Sequence, residues 1–301
     1  AIRQNLVGKV QEYERASIFA KYKDKVGEIV ICEVYQAWKK EVLLIDEEGV
    51  EVVLPKTEQI PGDFFRKGDT VKAVVLKVEM KNGIPNIVLS RVSPIFLEKL
   101  FEQEVPEIYD GLITIRNAVR QPGERAKVAV ESYDDRIDPV GSCVGVKGSR
   151  IHSIIRELRN ENIDVINYTP NVELYITRAL SPAKVMSVSI DNENRKAAVY
   201  MQPDQVSLAI GKGGYNSKLA GKLTGYEIEV YREADMDYDD VELDEFRDEI
   251  DSWIIDTLKS IGCDTAKNVL ELSKEELENR TDLEAETIEH VLETLKAEFE
   301  D

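Results

Sequence analysis

Apolar and polar residues follow several distinct rhythms along this chain, and each rhythm predicts a different element. Leu6, Val10, Tyr13 and Ile18 recur at loosely helical spacing in a polar background, which predicts a connector helix over residues 1–25. From Glu28 to Pro94 the pattern changes to short β-rich runs: Ile29–Tyr35, Val42–Ile45, Val50–Leu54, Val71–Met80 and Ile87–Val92. Turn chemistry separates them, with Asp46-Glu47-Glu48-Gly49, Pro61-Gly62, Gly68-Asp69 and the hairpin signal Lys81-Asn82-Gly83. Five such strands predict a small closed barrel of the OB type over residues 26–94. Pro94 then opens a helix with Phe96, Leu97, Leu100 and Phe101 on one side, so residues 95–110 read as a linker helix.

Residues 111–232 contain one local pattern twice. In the first copy (residues 111–179), strands around Leu112–Val119 and Lys127–Glu131 precede a helical stretch, a glycine tetrapeptide and a second helical stretch, followed by candidate strands Ile163–Tyr168 and Val172–Thr177. In the second (residues 180–232), Val185–Asp191 and Lys196–Met201 precede the same arrangement, closed by Tyr226–Tyr231. Residues 233–301 read as an acidic linker over 233–245 and a small all-helical domain, with Ile250, Trp253, Ile254, Leu258, Ile288, Leu292 and Leu295 as core stripes and Ser260-Ile261-Gly262 as a turn. The fold class is therefore α+β and multidomain.

Charge changes this picture through its distribution. The chain has 301 residues and a formal net charge of -19. Residues 1–232 are balanced at 33 basic and 33 acidic, whereas residues 233–301 hold six basic against 25 acidic, so the excess is entirely C-terminal. Residues 111–232 are mildly basic, 17 against 14. A locally basic segment beside an acidic tail suits a protein that handles polyanions. On this ground we hypothesise that the tail lowers the affinity of the basic segment for a polyanion; unchanged affinity after removal of residues 233–301, at low and at moderate salt, would falsify it. Apolar runs are far shorter than the ~18 residues of a membrane span, and no apolar signal core opens the chain, so the expectation is a cytoplasmic protein without membrane contact. Cys32, Cys143 and Cys263 stand far apart and only His152 and His290 accompany them, so neither a metal site nor a disulfide framework is expected, and no cofactor.

The candidate chemistry lies in the two tetrapeptides, Gly145-Val146-Lys147-Gly148 and Gly211-Lys212-Gly213-Gly214. Each is G-x-x-G between two helices. Glycines let a sugar-phosphate backbone approach the main chain, and the following helix N-terminus offers free N–H groups. One lysine in each loop, Lys147 and Lys212, adds a phosphate contact, and Lys218 and Lys222 extend the positive edge of the second. The P-loop signature G-x-x-x-x-G-K-[ST] is absent, and Asn216 stands where a dinucleotide fingerprint needs its third glycine. The design is that of the KH module, which clamps about four nucleotides of a single strand.

Five stretches carry a resemblance to a known family: FAKYKDKVGEIV (Phe19–Val30), EVPEIYDGLITI (Glu104–Ile115), PGERAKVAV (Pro122–Val130), RIDPVGSCVGVKGSRI (Arg136–Ile151) and QVSLAIGKGGYNSKLA (Gln205–Ala220). They resemble the bacterial NusA family of transcription elongation, termination and antitermination factors. The resemblance implies an S1-type OB barrel followed by two tandem type II KH domains that bind nascent single-stranded RNA, with RNA polymerase held through a separate N-terminal domain outside this chain. Residues 1–25 correspond to the trailing helix of that domain. Matched positions imply RNA contacts at Gly145, Val146, Lys147, Gly148, Arg150, Gly211, Lys212, Gly213, Gly214, Asn216 and Lys218.

The barrel departs from the strong RNA-binding pattern, since Tyr35 and Trp38 are its only early aromatics and Phe64 and Phe65 fall in a connection. Trp38, beside Lys39 and Lys40, and Arg91, at the end of the last strand, are the candidate contacts there; the structural alternatives are a partly buried ring and a solvated arginine. The acidic helical domain resembles the repeats some relatives carry and implies docking of other transcription factors. No catalytic residues are expected: His152 reads as an RNA-facing or solvated residue. The chain therefore reads as a monomeric, non-enzymatic RNA-binding regulator of polymerase pausing, termination and antitermination. The alternatives are an RNA-processing protein of the exoribonuclease type, which usually joins KH and S1 modules in the reverse order, or a ribosome-associated KH protein.

Overall fold

The computed structural model describes residues 2–232, 241–270, 272–281 and 283–297, in two compact units divided after Glu233. The first unit opens with α1 (Ile2–Asp24) and the strands β1 (Ile29–Ala37), β2 (Glu41–Ile45), β3 (Glu51–Pro55), β4 (Thr70–Lys81) and β5 (Ile84–Ser90). These close into a barrel in the order β1-β2-β3-β5-β4. Strand alternation sends Val30, Cys32 and Val34 of β1 inward to meet Val42, Leu44, Val52, Leu54 and Leu89. Of the stripe expected on α1, Val10 and Tyr13 are exposed and the Leu6 side chain lies outside the described residues. Ile18 of the stripe packs against the barrel core, and Tyr22 is fully buried in it. Its hydroxyl donates to Asp46 at 2.5 Å.

Two copies of an α-β-β-α-α-β unit follow. The first is α2 (Pro94–Glu104) with the short α3 (Pro106–Tyr109), β6 (Ile113–Gln121), β7 (Arg125–Ser132), α4 (Pro139–Val144), α5 (Ser149–Glu157) and β8 (Asn162–Asn167). The second is α6 (Val172–Ala179), β9 (Ser187–Asp191), β10 (Lys196–Met201), α7 (Pro203–Ile210), α8 (Tyr215–Thr224) and β11 (Glu227–Arg232). Each sheet has its second strand in the centre, antiparallel to the first and parallel to the third.

Two sequence expectations are corrected here. The helix opened at Pro94 is the first helix of the repeat: Phe96, Leu97, Leu100 and Phe101 share one core with Val128, Ile151 and Ile154. Val172–Thr177 is helix α6, not a strand. Its β-branched residues suggested extension, but Val172, Tyr175, Ile176 and Ala179 follow helical spacing, and the Asn171 side chain caps the Leu174 amide at 3.0 Å.

The two repeats are fused through the first sheet. Ala126, Val128 and Val130 of β7 face their own helices, while Ala129 of β7 and Ile166 of β8 face the opposite way, into the core built by Ile176, Ala179, Ala220 and Leu223. Asn117 donates to the Leu223 carbonyl at 3.0 Å. Lys127, fully buried on the same face of β7, donates to Asp164 at 2.8 Å and to the Ser181 carbonyl at 3.4 Å; burial pushes its pKa down.

In the second unit, α9 (Ser252–Ser260), α10 (Ala266–Leu270), α11 (Lys274–Arg280) and α12 (Ala285–Ala297) enclose a separate core. Ile250, Ile254, Leu258, Ile288 and Leu295 are buried in it as the pattern predicts, with Leu292 packed against it. Trp253 is 57% exposed, because Ile254 and Ile255 occupy the inward positions of α9. Leu243 and Phe246 also enter this core, so residues 241–245, expected as linker, belong to the folded unit. No helix among the described residues is long and apolar enough to cross a membrane.

Candidate nucleic-acid interface

Both glycine tetrapeptides fold into the same exposed turn. Gly145 and Gly211 adopt φ 75°, ψ 171° and φ 72°, ψ 174°, a region open essentially to glycine alone. The third and fourth positions are left-handed in both loops: Lys147 and Gly148 at φ 52° and 77°, Gly213 and Gly214 at φ 61° and 72°. Lys147 therefore holds, with a side chain, a conformation that the other loop reaches with glycine. Val146 is 82% exposed at the tip of the first loop and the Lys212 side chain 84% exposed in the second. α5 starts directly behind the first loop and α8 behind the second; neither has a side-chain cap, and their first amides, Ser149 and Tyr215, donate back to the loop carbonyls of Val146 and Lys212. His152 Nδ1 donates to the Gly148 carbonyl at 2.7 Å, so this histidine braces the loop.

Two residues expected to contact RNA do something else. Asn216 is fully buried, and its amide donates to the carbonyls of Leu180, Leu208 and Ala209 at 3.0–3.1 Å. Arg150, at the corresponding position of the first loop, donates to the Ser142 carbonyl at 2.6 Å and to Glu107 at 2.9 Å. Each satisfies a carbonyl at the end of the helix that enters its loop, where the chain breaks helical bonding. A side chain on Gly145 or Gly211 would strike these same residues, with a Cβ 2.9 Å from Arg150 Cγ or 2.8 Å from Asn216 Cβ. They shape the loops from behind. Their matched offset from the first glycine was visible in the repeat.

Arg91 is corrected as well. It is 2% exposed, and a solvated or RNA-facing role is excluded by its partners: Asp63 at 2.9 Å, Glu157 at 2.7 Å and the carbonyls of Lys72 and Glu157. Asp63 also receives Arg159 at 2.9 Å, and Arg120 makes a two-pronged pair with Glu161 at 2.9 and 2.6 Å while donating to the Arg91 carbonyl. Three arginines and three carboxylates thus lock the barrel to the first KH repeat. Trp38 is 47% exposed, so of the two barrel candidates only this ring is open to a ligand. Tyr35 and Phe64 are exposed as well, each with a cation over its ring, Lys67 and Arg66 at 5.4 Å.

Sequence reasoning missed Glu124. It sits in the β6–β7 turn of the first repeat, and its carboxylate takes Lys212 of the second loop at 2.9 Å, which raises the lysine pKa. The Glu124 carbonyl accepts from the Asn162 amide at the start of β8, just past the end of α5. The first loop therefore lies at one end of α5 and the second near the other, with His152 and Arg156 exposed between them. Lys218 and Lys222 line a groove along α8 behind the second loop.

The match to known families agrees with this geometry. Residues 91–168 match the NusA-like first KH domain and residues 172–238 the NusA-like second KH domain, which places α2 and α6 inside the domains as the cores do. Transcription termination/antitermination protein NusA of Bacillus subtilis is 39% identical over 234 residues, covering 77% of this chain and 62% of the relative. That of Halalkalibacterium halodurans is 39% identical over 233 residues, with 77% and 61% covered, and that of Thermus thermophilus 40% over 235 residues, with 78% and 60%. The chain spans about three fifths of the length of these curated relatives. On its paired KH domains and this level of identity, the chain belongs to the NusA family.

Proposed function

We propose that this chain binds nascent single-stranded RNA along its KH pair and, in doing so, modulates RNA polymerase pausing, termination and antitermination. The observation that carries the reading is the repetition of one strained, exposed glycine turn in two domains fused by a common core. Exposed glycine turns of this kind leave room for a sugar-phosphate backbone to approach the main chain. Lys147, Lys212 and Lys218 supply the phosphate contacts, and a strand passing between the loops runs along α5, past His152 and Arg156. Trp38, Tyr35 and Phe64 offer the barrel as an auxiliary stacking surface. The helical second unit serves as a docking site for other transcription proteins, and polymerase itself is the partner that the relatives' termination and antitermination roles imply.

Titration with unstructured RNAs of increasing length tests the track. Affinity should rise steeply until both grooves, each of about four nucleotides, are filled. Gly214→Asp should weaken binding: its Cβ meets only Lys218, at 3.5 Å or more, and aspartate is among the side chains that visit the left-handed φ of 72° at this position, at a local cost, while its negative charge enters the backbone path; Gly214→Asn, with the same strain and no charge, should bind better than Gly214→Asp. Parent-like affinity in Gly214→Asp overturns the clamp. Loss of the effect of the chain on transcript release in a purified transcription reaction, in the same variant, links the clamp to transcription.

A further inference from the structure

The seam between the KH domains ends, at the C-terminus of α8, in a cavity of about 370 Å³ that the RNA track does not use. Its size falls in the ~300–1,000 Å³ range of small-ligand sites. α8 has ten residues, so the cavity lies about 15 Å from the second glycine loop at the other end of the helix. Both domains build it: Arg116 and Tyr168 from the first, and Tyr175, Arg195, Thr224 and Tyr226 from the second. Although the chain carries a net charge of -19, no acidic residue lines this cavity among the described residues.

The two guanidinium groups are held, not free-swinging. Arg116 lies over the Tyr168 ring, 4.8 Å from its centroid, and Tyr168 packs edge-on against Tyr175 at 5.2 Å. Arg195 lies over the Tyr226 ring at 5.4 Å, and the Tyr226 hydroxyl donates to Asn192 at 2.9 Å. Arg195 sits at φ 54°, an unfavourable conformation for a residue with a side chain. The turn that imposes it is pinned by Asp191, which accepts the amides of Glu193 and Asn194 at 3.0 Å. Glu131 forms an ion pair with Arg116, its Oε2 3.3 Å from Nε, without a hydrogen bond to it. A guanidinium stacked on a ring keeps its outer face for a second flat group and its N–H edges for an anion. A nucleotide joins a flat ring to an anion and so matches both features.

We propose that this cavity is a second nucleotide site, separate from the glycine loops, that takes one nucleoside 5′-monophosphate unit, with the phosphate on Arg116 and Arg195 and the base stacked on a guanidinium face. That unit comes either from a free mononucleotide or from the phosphorylated 5′ end of an RNA strand. The proposal does not rest on the glycine-loop reading.

The test is titration of the whole chain with AMP, CMP, GMP or UMP, followed by amide chemical shifts in NMR. The expected result is saturable shifts around Thr169 and Thr224 at millimolar nucleotide, weakened roughly tenfold in Arg195→Asn, which suits a left-handed turn, and in Arg116→Gln. Gly214→Asp should leave these shifts unchanged. A short RNA with a 5′-phosphate binding this site better than its 5′-hydroxyl twin identifies the strand end as the source; equal binding identifies the free nucleotide. The proposal is overturned by the absence of shifts there at about 10 mM nucleotide, by unchanged binding in both arginine variants, by inorganic phosphate binding as well as the nucleotide, or by an acidic peptide outcompeting it.

Discussion

Replacing Glu124 by glutamine should tighten RNA binding, because the carboxylate occupies the lysine that the second loop needs. Lys212 pairs with Glu124 at 2.9 Å, and the two side chains are 84% and 40% exposed. Exposed pairs of this kind shift an equilibrium by no more than about fivefold, so Lys212 is readily released. A carboxylate left standing about 6 Å from an RNA phosphate in water adds a repulsion equivalent to about threefold. Removing both effects predicts binding tighter by roughly three- to fifteenfold at low salt, shrinking as ionic strength rises. The salt slope should steepen by about 0.7, since Lys212 then displaces a full counterion. Fluorescence anisotropy with a labelled single strand, read at several salt concentrations, measures both quantities. Glu124→Gln combined with Lys212→Gln separates the contributions: only the part arising from repulsion survives in the double variant. Equal or weaker binding in Glu124→Gln with an unchanged slope would refute the reasoning and make the pair a strut that presents the loop.

The left-handed Lys147 should be a local cost, so Lys147→Gly is expected to raise unfolding stability by roughly 1 kcal/mol in denaturant titration while lowering the RNA salt slope by about 0.7. Gly145→Ala and Gly211→Ala should each cost about 1–3 kcal/mol, because the glycine-only conformation and the contact with Arg150 or Asn216 act together; thermal melting reads the loss. Arg91→Ala should cost about 3 kcal/mol, the low end for breaking a buried pair, because Asp63 and Glu157 lose Arg91 while Asp63 keeps Arg159, yet the folded fraction should bind RNA like the parent. Burial pushes the Cys32 and Cys143 thiols from 9.0 up to about 12. Above pH 9 the unfolded chain loses protons that the folded chain keeps, so stability should fall between pH 9 and 12, by about 1 kcal/mol per cysteine at pH 10. Denaturation at pH 8 and 10 checks this, with flatter profiles expected for Cys32→Ala and Cys143→Ala.

The barrel strands and both glycine loops were readable because period-two alternation and G-x-x-G between helical stripes are local signals. What escaped was set by distant partners. Phe96 and Phe101 announce an amphipathic helix, but nothing near them says that their apolar face meets Ile151 and Ile154 rather than a neighbouring domain. Val172–Thr177 looked extended because β-branched residues outweighed a cap and a helical stripe that only the α6 packing makes decisive. Arg91 and Asn216 are polar residues whose burial depends on partners as remote as Glu157 and Leu180. Glu124 was one acid in a turn until the second repeat placed Lys212 beside it.

The first KH sheet is covered on one side by its own helices and on the other by helices made later, down to a hydrogen bond that joins residues 106 positions apart. During synthesis, a ribosome that has delivered only the first repeat leaves Ala129 and Ile166 facing water. The core behind the first loop is complete by Ile163, but that repeat's other face is covered only once α6 and α8 have emerged, so the finished sheet is a product of both repeats.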